Sequence, residues 1–223
     1  MPGRREAREE SSLAPHALQI GEWDRDENLI AAVGAGAEPR LRVEQHPDTV
    51  IVLGRGSRPE AELNLEQVIA DSAIVERQRG GGCAVVLDPG NLVVSVVLPL
   101  PGITRIRESH DQLTDWLITG LENAGVPDVQ RAGSSDLALG NRKLGGSCIW
   151  RRPGLLYYST TLLVAPDLDL VERWLVHPPR EPDYRAGRPH RAFMTSLSEA
   201  IGVRSAADFA ERLQAALDTL PSF

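Results

Sequence analysis

Two hydrophobic periods alternate along this chain. Residues 22–35 place Trp23, Leu29, Ile30 and Val33 at helical spacing and predict a helix. LRVEQH and TVIVLG follow, split by Pro47-Asp48, and predict a strand pair joined by a turn. Residues 60–70 read as a short helix and 73–77 as a strand. CAVVLD and NLVVSVVLPL, separated by Pro89-Gly90, predict a second hairpin. Leu113, Trp116, Leu117 and Leu121 predict a helix over 108–124, stopped by Gly125 and Pro127. SDLALGNRKLGGSCIW reads as two strands around Gly140-Asn141, and GLLYYSTTLLV as another. Residues 169–176 and 208–220 predict two further helices. Strands clustered in the middle, with helices before and after, predict an α+β (α/β) domain with a mixed, largely antiparallel sheet flanked by helices.

Composition narrows the class. With 223 residues, 42% hydrophobic and 25% charged, the chain is long enough for one sizeable core. Its net charge of -7 argues against a general polyanion binder such as a nucleic-acid protein, so any basic function is local. The start, MPGRREAREESSLAPH, is charged and has no apolar run, which excludes a secretory signal. A disordered tail is expected over 1–15 and a single domain over 16–223. The longest apolar run, from Leu92 to Leu100, is interrupted by Ser95 and Pro99 and falls short of the ~20 residues of a membrane helix. Cys83 and Cys148 form neither a disulfide framework nor a CxxC pair, and the histidines at 16, 46, 110, 177 and 190 have no zinc spacing. A reduced, cytoplasmic protein without a metal-ligand cluster is expected.

The chemistry concentrates in two segments. RQRGGG precedes a β-rich run, so it is neither the helix-opening dinucleotide fingerprint nor a P-loop. It is either a glycine turn or bulge, or a bare backbone that a ligand approaches, with Arg77 and Arg79 beside it to meet an anion. The second segment sets Lys143 on a strand, with Gly145 and Gly146 after it and Asp136 before it. A strand lysine is commonly a solvated charge. Between glycines, it is also a compact cation suited to a phosphate or a polarised carbonyl.

RQRGGGCAVVLDPGN followed by GNRKLGGSCIW and GLLYYSTTLLV resembles the lipoate–protein ligase A family of the biotin/lipoate ligase and lipoyltransferase superfamily. The resemblance runs from about residue 41 to residue 197. It implies a biotin/lipoate ligase-like catalytic domain that uses ATP and Mg²⁺ to convert lipoate or octanoate to an acyl-adenylate. A lysine of a lipoyl-carrier protein then attacks that mixed anhydride. It implies Lys143 as the catalytic cation, and Arg77, Arg79, Gly80, Gly81, Gly82, Cys83, Gly145 and Ser147 around the lipoyl-adenylate. Asn91 and Asp136 are implied for nucleotide or Mg²⁺. The implied acceptors are a glycine-cleavage H-like protein, a 2-oxoacid dehydrogenase E2 or a sulfur-oxidation lipoate-binding protein, with an accessory-domain subunit as a further partner. Four positions depart from the family pattern: Leu87 replaces a histidine, Gln78 the second arginine, Cys148 an alanine, and Cys83 lies in the glycine loop.

Two other readings stand beside the ligase. One is an ATP-independent acyl transferase working through a cysteine thioester. QRAGSS and VHPP, the regions that carry that cysteine in transferases, have none, which leaves Cys83 and Cys148 as substitutes. The other is a non-catalytic lipoate-binding subunit. The segment HPPREPDYRAGRPHRAF reads as an ordered loop whose Arg180, Arg185, Arg188 and Arg191 face either an acidic acceptor or solvent.

Overall fold

The computed structural model describes residues 18–100, 105–217 and 219–221; the expected tail over 1–15 lies outside them. The chain opens with β1 (Gly21–Glu22), α1 (Glu27–Gly34), β2 (Arg40–Gln45) and β3 (Val50–Leu53). It continues through α2 (Pro59–Glu62), α3 (Leu65–Ala70), β4 (Val75–Arg77), β5 (Val85–Leu87) and β6 (Asn91–Leu100). The long helix α4 (Ile106–Asn123) leads to β7 (Val129–Ala132), β8 (Asp136–Leu139), β9 (Arg142–Arg152) and β10 (Gly154–Leu163). Four helices close the chain: α5 (Leu168–Trp174), α6 (His190–Phe193), α7 (Leu197–Ile201) and α8 (Ala206–Ala216), with a 3-10 turn at Asp183–Arg185.

The strands form two sheets. The larger is antiparallel, in the order β2-β6-β10-β9-β8-β7, and the smaller runs β1-β4-β3-β5 with β1, β4 and β3 mutually parallel. β6 is buried on both faces, and its alternation sorts the core. Leu92, Val94, Val96 and Leu98 pack with Leu113, Leu117 and Leu121 of α4 and with Phe209 and Leu213 of α8. On the other face Val93 meets Val50 and Val52 of the small sheet, while Val97 joins Ile30 and Val33 of α1. The outer face of the small sheet is closed by α3 and α5 through Val68, Val171 and Trp174.

The architecture is the expected one, but both predicted hairpins are corrected. β2 pairs with β6 and β3 with β4 and β5, so the chain changes sheets at Pro47-Asp48. It changes back at Pro89-Gly90, since β5 stays on β3 while β6 enters the large sheet. The helix predicted over 22–35 begins only at Glu27, because Gly21 and Glu22 pair with β4 and Asp26 turns inward. Trp23 stacks on His46 at 5.5 Å instead of lying on the helix face. The helix predicted over 60–70 breaks where Leu63 bridges to Leu175 and Asn64 caps α3.

Candidate active site

Lys143 owes its direction to a β-bulge. Leu137 pairs with Gly145 and Ala138 with Lys143, so Leu144 is an extra residue on β9. In a regular strand, residues three apart point to opposite faces. The bulge cancels that and brings the Lys143 head over Gly146, where an added Cβ would lie 3.1 Å from Nζ. Asp136, paired across from Gly146, receives the ammonium on Oδ1 at 2.8 Å. The second glycine is close-packed as well: a Cβ at Gly145 would meet the Thr161 carbonyl at 2.5 Å. The Lys-x-Gly-Gly spacing is thus a bulge that lets a lysine cross its own strand. Lys143 is also the only lysine in the sequence; the other 23 of the 24 Lys+Arg residues are arginine.

The glycine run joins β4 to β5 and lies against the same face of β9. A Cβ on Gly80 would be 2.8 Å from Cys148 Sγ, and Gly82 has φ +113, a backbone open to glycine at little cost. Gly81 differs from both, since an added Cβ meets nothing within 4 Å. Two departures from the family pattern turn out to be partners. Cys148 Sγ donates to Gln78 Oε1 at 3.3 Å, and Gln78 Nε2 donates to the Gly81 carbonyl at 3.2 Å, which fastens the turn to the sheet. Buried Glu62 supports it from behind, accepting Ala84 N at 2.6 Å and the Ser57 hydroxyl at 2.9 Å.

The other predicted residues divide. Arg77 Nη1 donates to the carbonyls of Gly54 and Ser57 at 2.8 and 2.9 Å, which commits that nitrogen to the loop beneath the glycines. Arg79 pairs with Glu27 and lies 5.7 Å over the Trp150 ring. Beside it opens a recess lined by Trp23, Glu27, Gln78, Arg79, Trp150 and Tyr157, with Trp150 stacked on Tyr157 at 5.2 Å. Its buried floor is polar: Asp26 accepts Ser95 Oγ at 2.6 Å, Tyr157 OH at 2.7 Å and Arg42 Nη1 at 2.9 Å.

Two of the predicted residues are engaged within the fold. Ser147 points to the α4 face, where its hydroxyl donates to the Ser135 carbonyl at 2.9 Å and lies 2.8 Å from His110 Nε2. Strand alternation removes its side chain from the face that carries Gly146 and Cys148. Asn91 is fully buried and closes the turn between the sheets, its Oδ1 accepting Asp88 N at 2.8 Å, while its buried Nδ2 has no partner among the described residues. The arginine-rich segment also departs from expectation. Arg185 and Arg188 fold inward over the Phe193 ring at 4.9 and 5.4 Å, and Arg191 pairs with Asp169; Arg180 stays exposed. Sequence reading missed Tyr184, whose hydroxyl donates to Asp136 Oδ2 at 2.8 Å, and Glu62.

Neither thiol is poised as a nucleophile. Burial pushes Cys148 up to about 12, and burial together with Glu62 raises Cys83. A raised thiol pKa leaves less thiolate at a given pH, and the thiolate is the reactive form. At pH 8, Cys148 is expected to resist iodoacetamide and Cys83 to react more slowly than an unhindered thiol. Intact mass after timed exposure counts the adducts, and prompt double alkylation contradicts the assignment.

Several known proteins resemble this chain in sequence or fold. Lipoate-protein ligase A of Psychrobacter cryohalolentis is 25% identical over 151 residues, 67% of this chain and 42% of its own length. An octanoyltransferase, LipM, of Symbiobacterium thermophilum is 27% identical over 202 residues, 79% of this chain and 73% of its own length. A crystal structure of lipoate-protein ligase A bound with ATP superposes with a TM-score of 0.68 at 22% identity, covering 82% of this chain and 70% of that one. The bi-partite lipoate protein ligase of Thermoplasma acidophilum, studied with its E2 lipoyl domain, gives 0.69 at 20% identity over 90% and 81%. The chain spans about two fifths of the lipoate-protein ligases it first matches. The sequence profile of the lipoyl protein ligase A/B catalytic domain matches residues 21–218, and the chain belongs to that family.

Proposed function

We propose that this chain is a lipoate–protein ligase: the carboxylate of lipoate or octanoate attacks the α-phosphate of ATP, giving acyl-AMP and pyrophosphate, and a lysine of a lipoyl-domain protein then takes the acyl group as an amide and releases AMP. The observation that carries this reading is the Lys143 ammonium, held by Asp136 on the sheet face that the glycine turn covers. The first step brings a carboxylate against a triphosphate, and both are anions. A fixed cation at the α-phosphate and the carboxylate oxygen offsets charge that grows in the transition state. In the second step the same ammonium polarises the carbonyl and balances departing AMP. The lipoyl-adenylate lies along the backbone of the glycine turn, at Gly81.

Mg²⁺ enters with the nucleotide. Asp136 already accepts Lys143 and Tyr184, and among the described residues no group of three or more His, Cys, Asp or Glu is placed to hold a metal. That donor set fits an ion carried mainly by phosphate oxygens, with one carboxylate at most from the protein. The ATP-bound ligase supports the nucleotide, and the archaeal ligase with its E2 lipoyl domain supports the acceptor class. The same bi-partite relative supports an accessory subunit. An H-like protein, an E2 lipoyl domain and a sulfur-oxidation carrier are the acceptors to compare. No described helix is long and apolar enough to cross a membrane, and two free cysteines suit a reduced, cytoplasmic setting.

The octanoyltransferase relative favours a second reading, acyl transfer through a thioester. The raised pKa of both thiols weighs against it. Incubation with ATP, Mg²⁺, lipoate or octanoate and a lipoyl domain, followed by intact mass of the acceptor, decides between them. A mass gain that needs ATP supports the ligase. A gain from octanoyl-carrier protein without ATP overturns it in favour of the transferase.

A further inference from the structure

Asp136 divides its carboxylate between two donors. Oδ1 takes the Lys143 ammonium and Oδ2 the Tyr184 hydroxyl, each at 2.8 Å. Tyr184 is delivered by the segment after α5, which is built as a brace. Its ring packs on Phe193 at 5.0 Å, and Arg185 and Arg188 cover the same Phe193 ring. Arg188 Nη2 then donates to the carbonyls of Tyr184 and Asn141, both at 2.7 Å, which fastens the 3-10 turn to the loop between β8 and β9. Beyond the brace, Met194 bridges to Lys143 and Thr195 N donates to the Lys143 carbonyl at 2.8 Å. Each contact fixes the tyrosine hydroxyl relative to the strand that carries the lysine. Burial and the neighbouring Asp136 carboxylate push the hydroxyl above the ordinary phenol range, so it remains a neutral donor.

We propose that Tyr184 is a positioning residue for Lys143 and acts through Asp136. Its hydroxyl occupies Oδ2, so that the ammonium meets one carboxylate oxygen and turns its other N–H groups toward the reacting oxygens. The proposal rests on the ligase reading above. A lysine head carries three rotatable donors on a flexible stem. A carboxylate without a second anchor can rotate, take two of those donors or draw the head aside. Displacements of ~1 Å at a reacting centre cost up to about 10²-fold in rate.

Tyr184→Phe tests this, because it keeps the ring on Phe193 and deletes the hydroxyl alone. The turnover number for lipoate-dependent ATP–pyrophosphate exchange is expected to fall about tenfold, as for loss of a hydrogen bond to a charged group, with KM for ATP within about twofold. In an Asp136→Asn background the same change is expected to cost less than about twofold, because the linkage is already broken. An unchanged turnover number in Tyr184→Phe, an effect confined to KM, or full additivity in the double variant overturns the proposal. A readout without turnover is also available. Since Lys143 is the only lysine, isotope-labelled lysine yields one side-chain ammonium signal, which is expected to move in Tyr184→Phe. A protein that makes no acyl-adenylate but whose signal moves loses the ligase reading and retains the Tyr184–Asp136–Lys143 linkage. An unmoved signal overturns the linkage whatever the activity.

Discussion

Replacing Lys143 with alanine is expected to cut acyl-adenylate formation at least ~10²-fold and to leave the fold standing. The side chain is a quarter exposed, lies outside the apolar clusters and takes no part in the packing of β9 against β10. Its loss leaves Asp136 hydrogen-bonded by Tyr184, so the cost in stability is that of one partly exposed ion pair, about 1 kcal/mol. Catalysis pays on a different scale. Removing one preorganised contact to developing charge costs ~10²–10³ in rate, and here the contact is a full cation between two anionic reactants. Lipoate-dependent pyrophosphate release is expected to fall at least that far, with a melting temperature close to wild type. Lys143→Arg is expected to be a poor substitute: its rigid planar fork favours a two-pronged contact with Asp136 over a point charge above Gly146. Near-normal pyrophosphate release by Lys143→Ala removes the lysine from the mechanism.

How much of this was legible in the sequence depended on what each segment encodes locally. The helix α4 was readable because its apolar residues sit on one face and Gly125-Val126-Pro127 ends it. The strands were located well, but their partners were not. Pro47-Asp48 and Pro89-Gly90 encode a reversal of direction without naming the sheet the chain enters next. The flanking runs gave no help: β3 is buried throughout and β6 at every position but Pro99, so no polar alternation marks which face belongs to which neighbour. β1, two residues long, is too short to carry any period.

The site divides along the same line. Lys143, Asp136 and the glycines lie in two contiguous motifs that residue type and spacing single out, and the resemblance then implies their roles. Their geometry was not legible, because it depends on a bulge that only cross-strand pairing reveals. Tyr184 was missed for a related reason. It reaches Asp136 across 48 residues, and the segment that carries it drew attention to its arginines. In the folded protein Arg185 and Arg188 serve the interior, bracing Phe193 and the turn, while Arg180 and Arg191 stay exposed. Ser147 shows what a motif leaves open. The resemblance places it among the residues around the lipoyl-adenylate, and alternation along β9 turns its side chain to His110.

The three glycines now separate into three physical roles, which makes Gly81→Val the sharpest test of the ligand cradle. Gly80 is glycine because a Cβ there would come within 2.8 Å of Cys148 Sγ, and Gly82 because its φ of +113 strains any other residue. Gly81 has neither constraint: its φ is not left-handed and open space lies where a side chain would go. If the turn served only the fold, position 81 would accept a Cβ without clash or backbone strain. A lipoyl-adenylate lying along that backbone would instead be excluded by the branched side chain. Gly81→Val is therefore expected to melt near wild type yet lose more than about tenfold in affinity for a non-hydrolysable lipoyl-adenylate analogue, in keeping with the 1–3 kcal/mol of an overpacked contact. Gly82→Val supplies the contrast. Forcing a β-branched residue into a positive-φ backbone costs about 1–2 kcal/mol, read as a lowered melting temperature before any ligand is added. Calorimetric titration of both variants, alongside thermal unfolding, separates the two effects. A Gly81→Val protein that binds the analogue as tightly as wild type leaves the cradle without support, and the open space above Gly81 is then solvent.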